Sequence, residues 1–150
     1  MRVYLADTNV LLRAIQRQDL TLRTLARDAI KKLHRRGDSL CICPQNLVEL
    51  WNVSTRPVNV NGLGLGVVET RKNIGRCEAF FRLLPETPGI FQEWKRLVTE
   101  HKVSGLKVYD ARLVATMNVH QIPGIVTFDT GDFKRYAIEV LHLEDVLAQP

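Results

Sequence analysis

Short apolar runs alternate with stretches of helical period along the chain, and this alternation narrows the possible folds more than any other feature. Arg2–Ala6 is the first such run, short and apolar enough for a strand covered on both faces. The segments "SLCIC", "RLLP", "GIVTF" and "AIEVLHL" are further runs of the same kind. Between them the period changes. A short helix is predicted over 8–16. Next, Leu22, Leu25, Ala26, Ala29, Ile30 and Leu33 recur at helical spacing, with Arg23, Arg27, Lys31, Lys32 and Arg35 largely off that stripe. Gly37 is placed to end that helix in a left-handed cap.

Further helices are predicted over 45–54, 67–81, 88–101 and 107–119. Pro44 closes the second strand, and Pro88 stands at the first position of its helix. The segment "RPVNVNGLGLG" between them carries turn chemistry and reads as a loop. Strands alternating with helices predict a three-layer α/β/α sandwich around a central, mostly parallel sheet of about five strands. A chain of 150 residues fits one such domain, taken as 1–150.

Composition removes several classes of function. No run approaches the roughly 20 apolar residues of a membrane-spanning helix, and the first apolar run meets Asp7 too early for a signal peptide. The three cysteines, Cys41, Cys43 and Cys77, share no ligand spacing with the histidines, so they read as reduced core thiols of a cytoplasmic protein. The net charge of +5 suits a polyanionic partner without requiring one.

Five acidic residues stand out by position. Asp7 ends the first strand, Glu49 rides the helix after the second, Asp110 begins a very apolar helix, and Asp129 and Asp132 follow the "GIVTF" strand. Singly, each has an ordinary role: helix N-cap for Asp7 and Asp110, solvated side chain for Glu49, turn residue for Asp129 and Asp132. Together they differ, because ligands of open α/β sheets bind outside the carboxyl ends of the strands. Carboxylates gathered there repel one another unless a cation intervenes. An oxygen-only donor set selects a hard ion such as Mg²⁺ or Mn²⁺.

These segments resemble the PIN-domain ribonucleases, most closely the small free-standing VapC-type toxins. The matching pieces are "LADTNVLL", "NLVELWNVSTRP", "GLKVYDARLVA" and "IVTFDTGDFKRY", in the family's order from Leu5 to Tyr136. The resemblance implies metal-binding acids at Asp7, Glu49 and Asp110, and a fourth at Asp129 or Asp132. Asn9 and Thr127 are implied as polar helpers behind them. It further implies one or two Mg²⁺ or Mn²⁺ ions, endonucleolytic cleavage of RNA, a cognate antitoxin and a homodimer. Arg13, Lys134 and Arg135 are the candidate phosphate contacts, whereas Trp51 and Trp94 lie on apolar stripes and read as core. The fourth motif departs slightly, with Asp129 where relatives often carry Asn.

Other readings compete. A housekeeping RNA-processing nuclease of the same fold would carry the same acids. A phosphatase of the haloacid-dehalogenase type would use Asp7 as nucleophile, but it needs a second Asp where this chain has Asn9. A module binding RNA or a protein partner would need no metal at all.

Overall fold

The computed structural model describes residues 1–150. Five strands form one sheet: β1 (Val3–Ala6), β2 (Ser39–Ile42), β3 (Arg82–Leu83), β4 (Gly124–Thr127) and β5 (Glu139–His142), in the order β3-β2-β1-β4-β5. Every pairing is parallel, so the sheet is uniformly rather than mostly so. The helices are α1 (Thr8–Ile15), α2 (Leu20–Arg35), α3 (Pro44–Thr55), α4 (Val67–Phe80), α5 (Pro88–Glu100), α6 (Lys107–His120) and α7 (Leu143–Ala148).

Strand alternation sorts side chains into two cores. Leu5, Cys41, Cys43 and Ile125 face one side and pack with Ile90, Leu97, Leu113, Val114 and Met117 of α5 and α6. Tyr4, Leu40 and Val126 face the other and pack with Ala26, Ala29 and Leu33 of α2 and with Leu143 and Val146. On that same side Ala6, Ile42, Leu11, Leu50 and Cys77 form a smaller cluster. Gly124 is required by this packing, since a Cβ there would lie 2.8 Å from the Tyr4 ring. All three cysteines are buried free thiols. No helix is long and apolar enough to cross a membrane.

Element ends differ from the sequence reading in physically instructive ways. Pro44 opens α3 rather than merely closing β2, because its missing N–H falls where a helix has no acceptor to offer. Cys43 precedes it, with its N–H donated 2.8 Å to Asn46 Oδ1. The Arg56–Gly66 loop contains a short 3₁₀ turn (Val58–Val60) and folds back on α3. There the N–H groups of Leu63, Gly64 and Leu65 reach the carbonyls of Val53, Arg56 and Ser54. The last apolar run stops at His142, and α7 takes its remaining leucine. Gly37 has φ +80°, the left-handed conformation predicted for the end of α2.

Beginning at β1, the chain builds outward to β2 and β3, then returns to place β4 on the other side of β1. Strand order therefore reverses between β1 and β4. The carboxyl ends of those two strands flank the crevice where ligands of open α/β sheets are bound.

Candidate functional site

Asp7 follows β1 directly, and its N–H continues the ladder to Val126 O at 3.0 Å. Its side chain caps α1, Oδ1 accepting from Thr8 N at 2.8 Å, while Oδ2 accepts from Thr127 Oγ1 at 2.7 Å. The cap reading is therefore borne out, and it engages only one of the two oxygens. Asp7 is only 8% exposed. Burial pushes its carboxyl up to about 7, the charges of Asp110 and Glu49 add to this, and the hydrogen bonds from Thr127 and Thr8 oppose it.

Glu49 projects from α3, half-buried rather than solvated. Its Oε1 accepts from Gln45 Nε2 at 2.8 Å. Burial raises this carboxyl too, against that hydrogen bond. Asp110 lies inside the first turn of α6 and does not cap it; the capping position is Leu106. The Asp110 carboxyl is pushed up to about 6, chiefly by burial and then by the charge of Asp132, with Lys107 pulling the other way and Glu49 and Asp129 adding repulsion.

Asp129 precedes a 3₁₀ turn (Thr130–Phe133) after β4, and Asp132 lies within it. Asn9 Nδ2 donates to Asp129 Oδ2 at 3.0 Å and to Thr127 Oγ1 at 3.4 Å, while its Oδ1 accepts from Phe128 N at 3.4 Å. Thr127 Oγ1 in turn accepts from Asp129 N at 2.9 Å. Asn9 and Thr127 thus join the Asp7 side of the site to the Asp129 side. Asp132 forms an ion pair with Lys107.

The five predicted acids consequently sit at one edge of the sheet and sense one another's charge. They do not form a ready cage, since no three of them, with or without a histidine or cysteine, are close enough together to enclose an ion. Instead four of the five keep a separate partner: Thr127 for Asp7, Gln45 for Glu49, Asn9 for Asp129, Lys107 for Asp132. As a donor set they fit a hard divalent cation, being all oxygen, with two members held well above the usual carboxylate range.

Arg13, Lys134 and Arg135 are exposed, and none touches a site carboxylate. Arg135 donates to His101 O at 3.3 Å. Trp94 packs against the α5–α6 core and donates its indole N–H to Val108 O at 2.9 Å. Trp51 is half-buried beside Leu47, Val48 and Ile74 in a surface groove. Sequence reasoning missed Lys107 and Gln45. Lys107 stands three residues before Asp110 on one helix, a spacing that puts two side chains on one face. Gln45 precedes Glu49 by four, which puts it on the same face, but its other partners, Tyr109 and Arg112, come from α6.

A family model described as PIN domain matches residues 4–139. No curated protein matches the chain by sequence. Among solved structures it is similar to VapBC2 from Rickettsia felis, crystallised with a DNA fragment from their promoter. That match has 15% identity and a TM-score of 0.67 over 93% of this chain and 98% of the other. It is also similar to VapBC-1 from nontypeable Haemophilus influenzae, with 12% identity and a TM-score of 0.68 over 95% and 98%. A toxin–antitoxin complex from Klebsiella pneumoniae matches at 20% identity and a TM-score of 0.58, over 87% and 89%.

Proposed function

Because the chain belongs to the PIN domain family, we propose that it is a Mg²⁺- or Mn²⁺-dependent endoribonuclease, the toxin of a toxin–antitoxin pair. The observation that carries this reading is the placing of Asp7, Glu49 and Asp110 at the carboxyl edge of the sheet, where burial raises all three carboxyls and repulsion from neighbouring acids adds to it at Asp7 and Asp110. Asp7, Glu49, Asp110 and one or both of Asp129 and Asp132 would hold one or two ions. A bound ion supplies an attacking water that ionises more readily and positive charge opposite the phosphate.

The protein's own part is to orient and to hold protons. Thr8 and Thr127 fix the Asp7 carboxylate, and Asn9 fixes Asp129. With values of about 7 and about 6, Asp7 and Asp110 carry protons over part of the neutral range, which ion binding would displace. Arg13, Lys134 and Arg135 would contact phosphates and position a single-stranded or looped RNA without reading its sequence.

A protein partner is supported by an apolar groove of about 530 Å³ between three helices, lined by Leu11 and Ile15 of α1, Ile30 of α2, and Cys77 and Phe80 of α4. Arg27, Lys31 and Arg76 line it too, which favours an acidic amphipathic segment of a cognate antitoxin. A homodimer completes the proposed assembly, checked by sedimentation.

The test is cleavage of an RNA panel with and without Mn²⁺. The wild type should cut only with metal, and Asp7→Asn and Asp110→Asn should not cut. Mutants that cut as well as the wild type would remove the site assignment. RNA binding that survives chelation, with no cleavage at any metal concentration, would make the protein a binding module instead. Growth arrest on expression, relieved by the product of a small adjacent gene, separates a toxin from a housekeeping nuclease.

A further inference from the structure

Residues 45 and 46 are consecutive side-chain amides, both buried at the start of α3, and they reach two different acid-bearing elements. Asn46 Nδ2 donates to Ala6 O and to Thr8 Oγ1, each at 3.1 Å, so it grips the chain on both sides of Asp7. Gln45 reaches the other way. Its Nε2 donates to Glu49 Oε1 at 2.8 Å and to the carbonyl of Tyr109, the residue before Asp110, also at 2.8 Å. Its Oε1 accepts from Arg112 Nη1 at 3.3 Å, and the same guanidinium pairs with Glu86 at 2.8 Å.

This arrangement has one orientation. With the amide reversed, its oxygen would face the Glu49 carboxylate and the Tyr109 carbonyl, two acceptors, while its NH₂ would face a guanidinium that can only donate. Arg112, braced by Glu86, therefore fixes which end of Gln45 points at Glu49. Both Nε2 hydrogens are used, so the buried amide leaves no donor unpaired.

We infer that Gln45 is a positioning residue, tying the Glu49 carboxylate of α3 to the backbone beside Asp110 of α6 and so setting the spacing of two acids before any ion arrives. The inference rests on the reading of those acids as cation ligands. Groups that hold ligand side chains in this way typically alter metal affinity about 10- to 100-fold when removed.

The experiment titrates Mn²⁺ alone into metal-free wild type, Gln45→Met, Gln45→Glu, Arg112→Met and Glu49→Gln by calorimetry, then measures kcat as a function of Mn²⁺. Gln45→Met keeps the side chain's length and should bind Mn²⁺ about 10- to 100-fold more weakly, with kcat recovering at saturating Mn²⁺. Gln45→Glu offers only acceptors to Glu49 and Tyr109 and should bind more weakly still. Arg112→Met should shift affinity in the same direction by less, and the Gln45→Met/Arg112→Met double variant should be no weaker than Gln45→Met alone. Unchanged Mn²⁺ affinity in Gln45→Met, alongside its loss in Glu49→Gln, overturns the inference and leaves the nuclease reading standing. A wild type that binds no Mn²⁺ overturns both. Should Gln45→Met fail to fold by circular dichroism, Arg112→Met decides, and unchanged affinity there overturns the inference.

Discussion

The two sides of the acidic edge are built differently. On the β1 side, Asp7 is buried, continues the sheet ladder and has both oxygens engaged by neutral donors. On the β4 side, Asp129 opens a surface turn and Asp132 lies within it, one held by an amide and the other by an ammonium. The buried acid is rigidly placed in a site that opposes its charge. The surface acids are reached by solvent and each has a single side-chain partner. An arrangement of this kind separates two duties, with the sheet fixing where a cation would sit and the turn adding charge that can adjust to it.

The widest gap between the sides should appear in activity. Asp7→Asn should lower metal-dependent cleavage by more than the roughly 100-fold that loss of a supporting partner produces, whereas Asp129→Asn and Asp132→Asn should each fall below that figure. Equal losses at all three positions, measured as kcat/KM on one RNA, would erase the distinction.

Stability against pH sharpens it further. The folded-state value for Asp7, about 7, lies above its ordinary 3.8, so the folded chain holds a proton that the unfolded chain releases. The associated stabilisation is complete below 3.8 and disappears as pH rises through about 7. It amounts to something on the order of 4 kcal/mol. Metal-free wild type should therefore lose denaturation midpoint between pH 4 and 8, and Asp7→Asn should flatten most of that slope. A slope unchanged by the substitution would show that Asp7 is not the strained group.

Lys107 probes the surface side. Its ammonium occupies Asp132 and also faces Asp110 and Asp129, so it competes with any added cation. Lys107→Met should tighten Mn²⁺ binding by no more than about fivefold, the scale of an exposed ion pair. Weaker binding would mean that Lys107 organises the turn instead. Smallest of all, Lys134→Ala and Arg135→Ala should each reduce the salt dependence of RNA affinity by about 0.7 in the log–log slope. A substitution that leaves the slope unchanged marks a residue that touches no phosphate.

Much of this was legible in the sequence for stated physical reasons. Doubly buried strands are short and almost wholly apolar, so β1, β2 and β4 announced themselves, and Asp7 was conspicuous for ending one. The stripe of α2 and the continuous apolar body of α6 followed from which faces they bury. Position along a parallel sheet is enough to bring the five acids to one edge. What escaped depended on neighbours distant in sequence. Gln45 looks like a surface residue until Tyr109 and Arg112 arrive from α6. Glu49 looked solvated on an isolated helical wheel because the wheel omits the elements packed against that face. Pro44 and Asp110 were shifted at helix ends, where local signals fix a boundary only to within a residue or a turn.

The three buried thiols have a practical consequence. Cys41 and Cys43 are sealed in the core under α5 and α6, whereas Cys77 of α4 belongs to the small cluster and borders the apolar groove, its thiol pushed up to about 11 by burial. No disulfide joins them, so Cys41 and Cys43 react with an alkylating reagent only when the core around them opens, while Cys77 is slowed chiefly by its raised thiol pKa. Pulsed labelling followed by peptide mass analysis would then time the opening of the core under α5 and α6 against the groove thiol, without a single engineered probe.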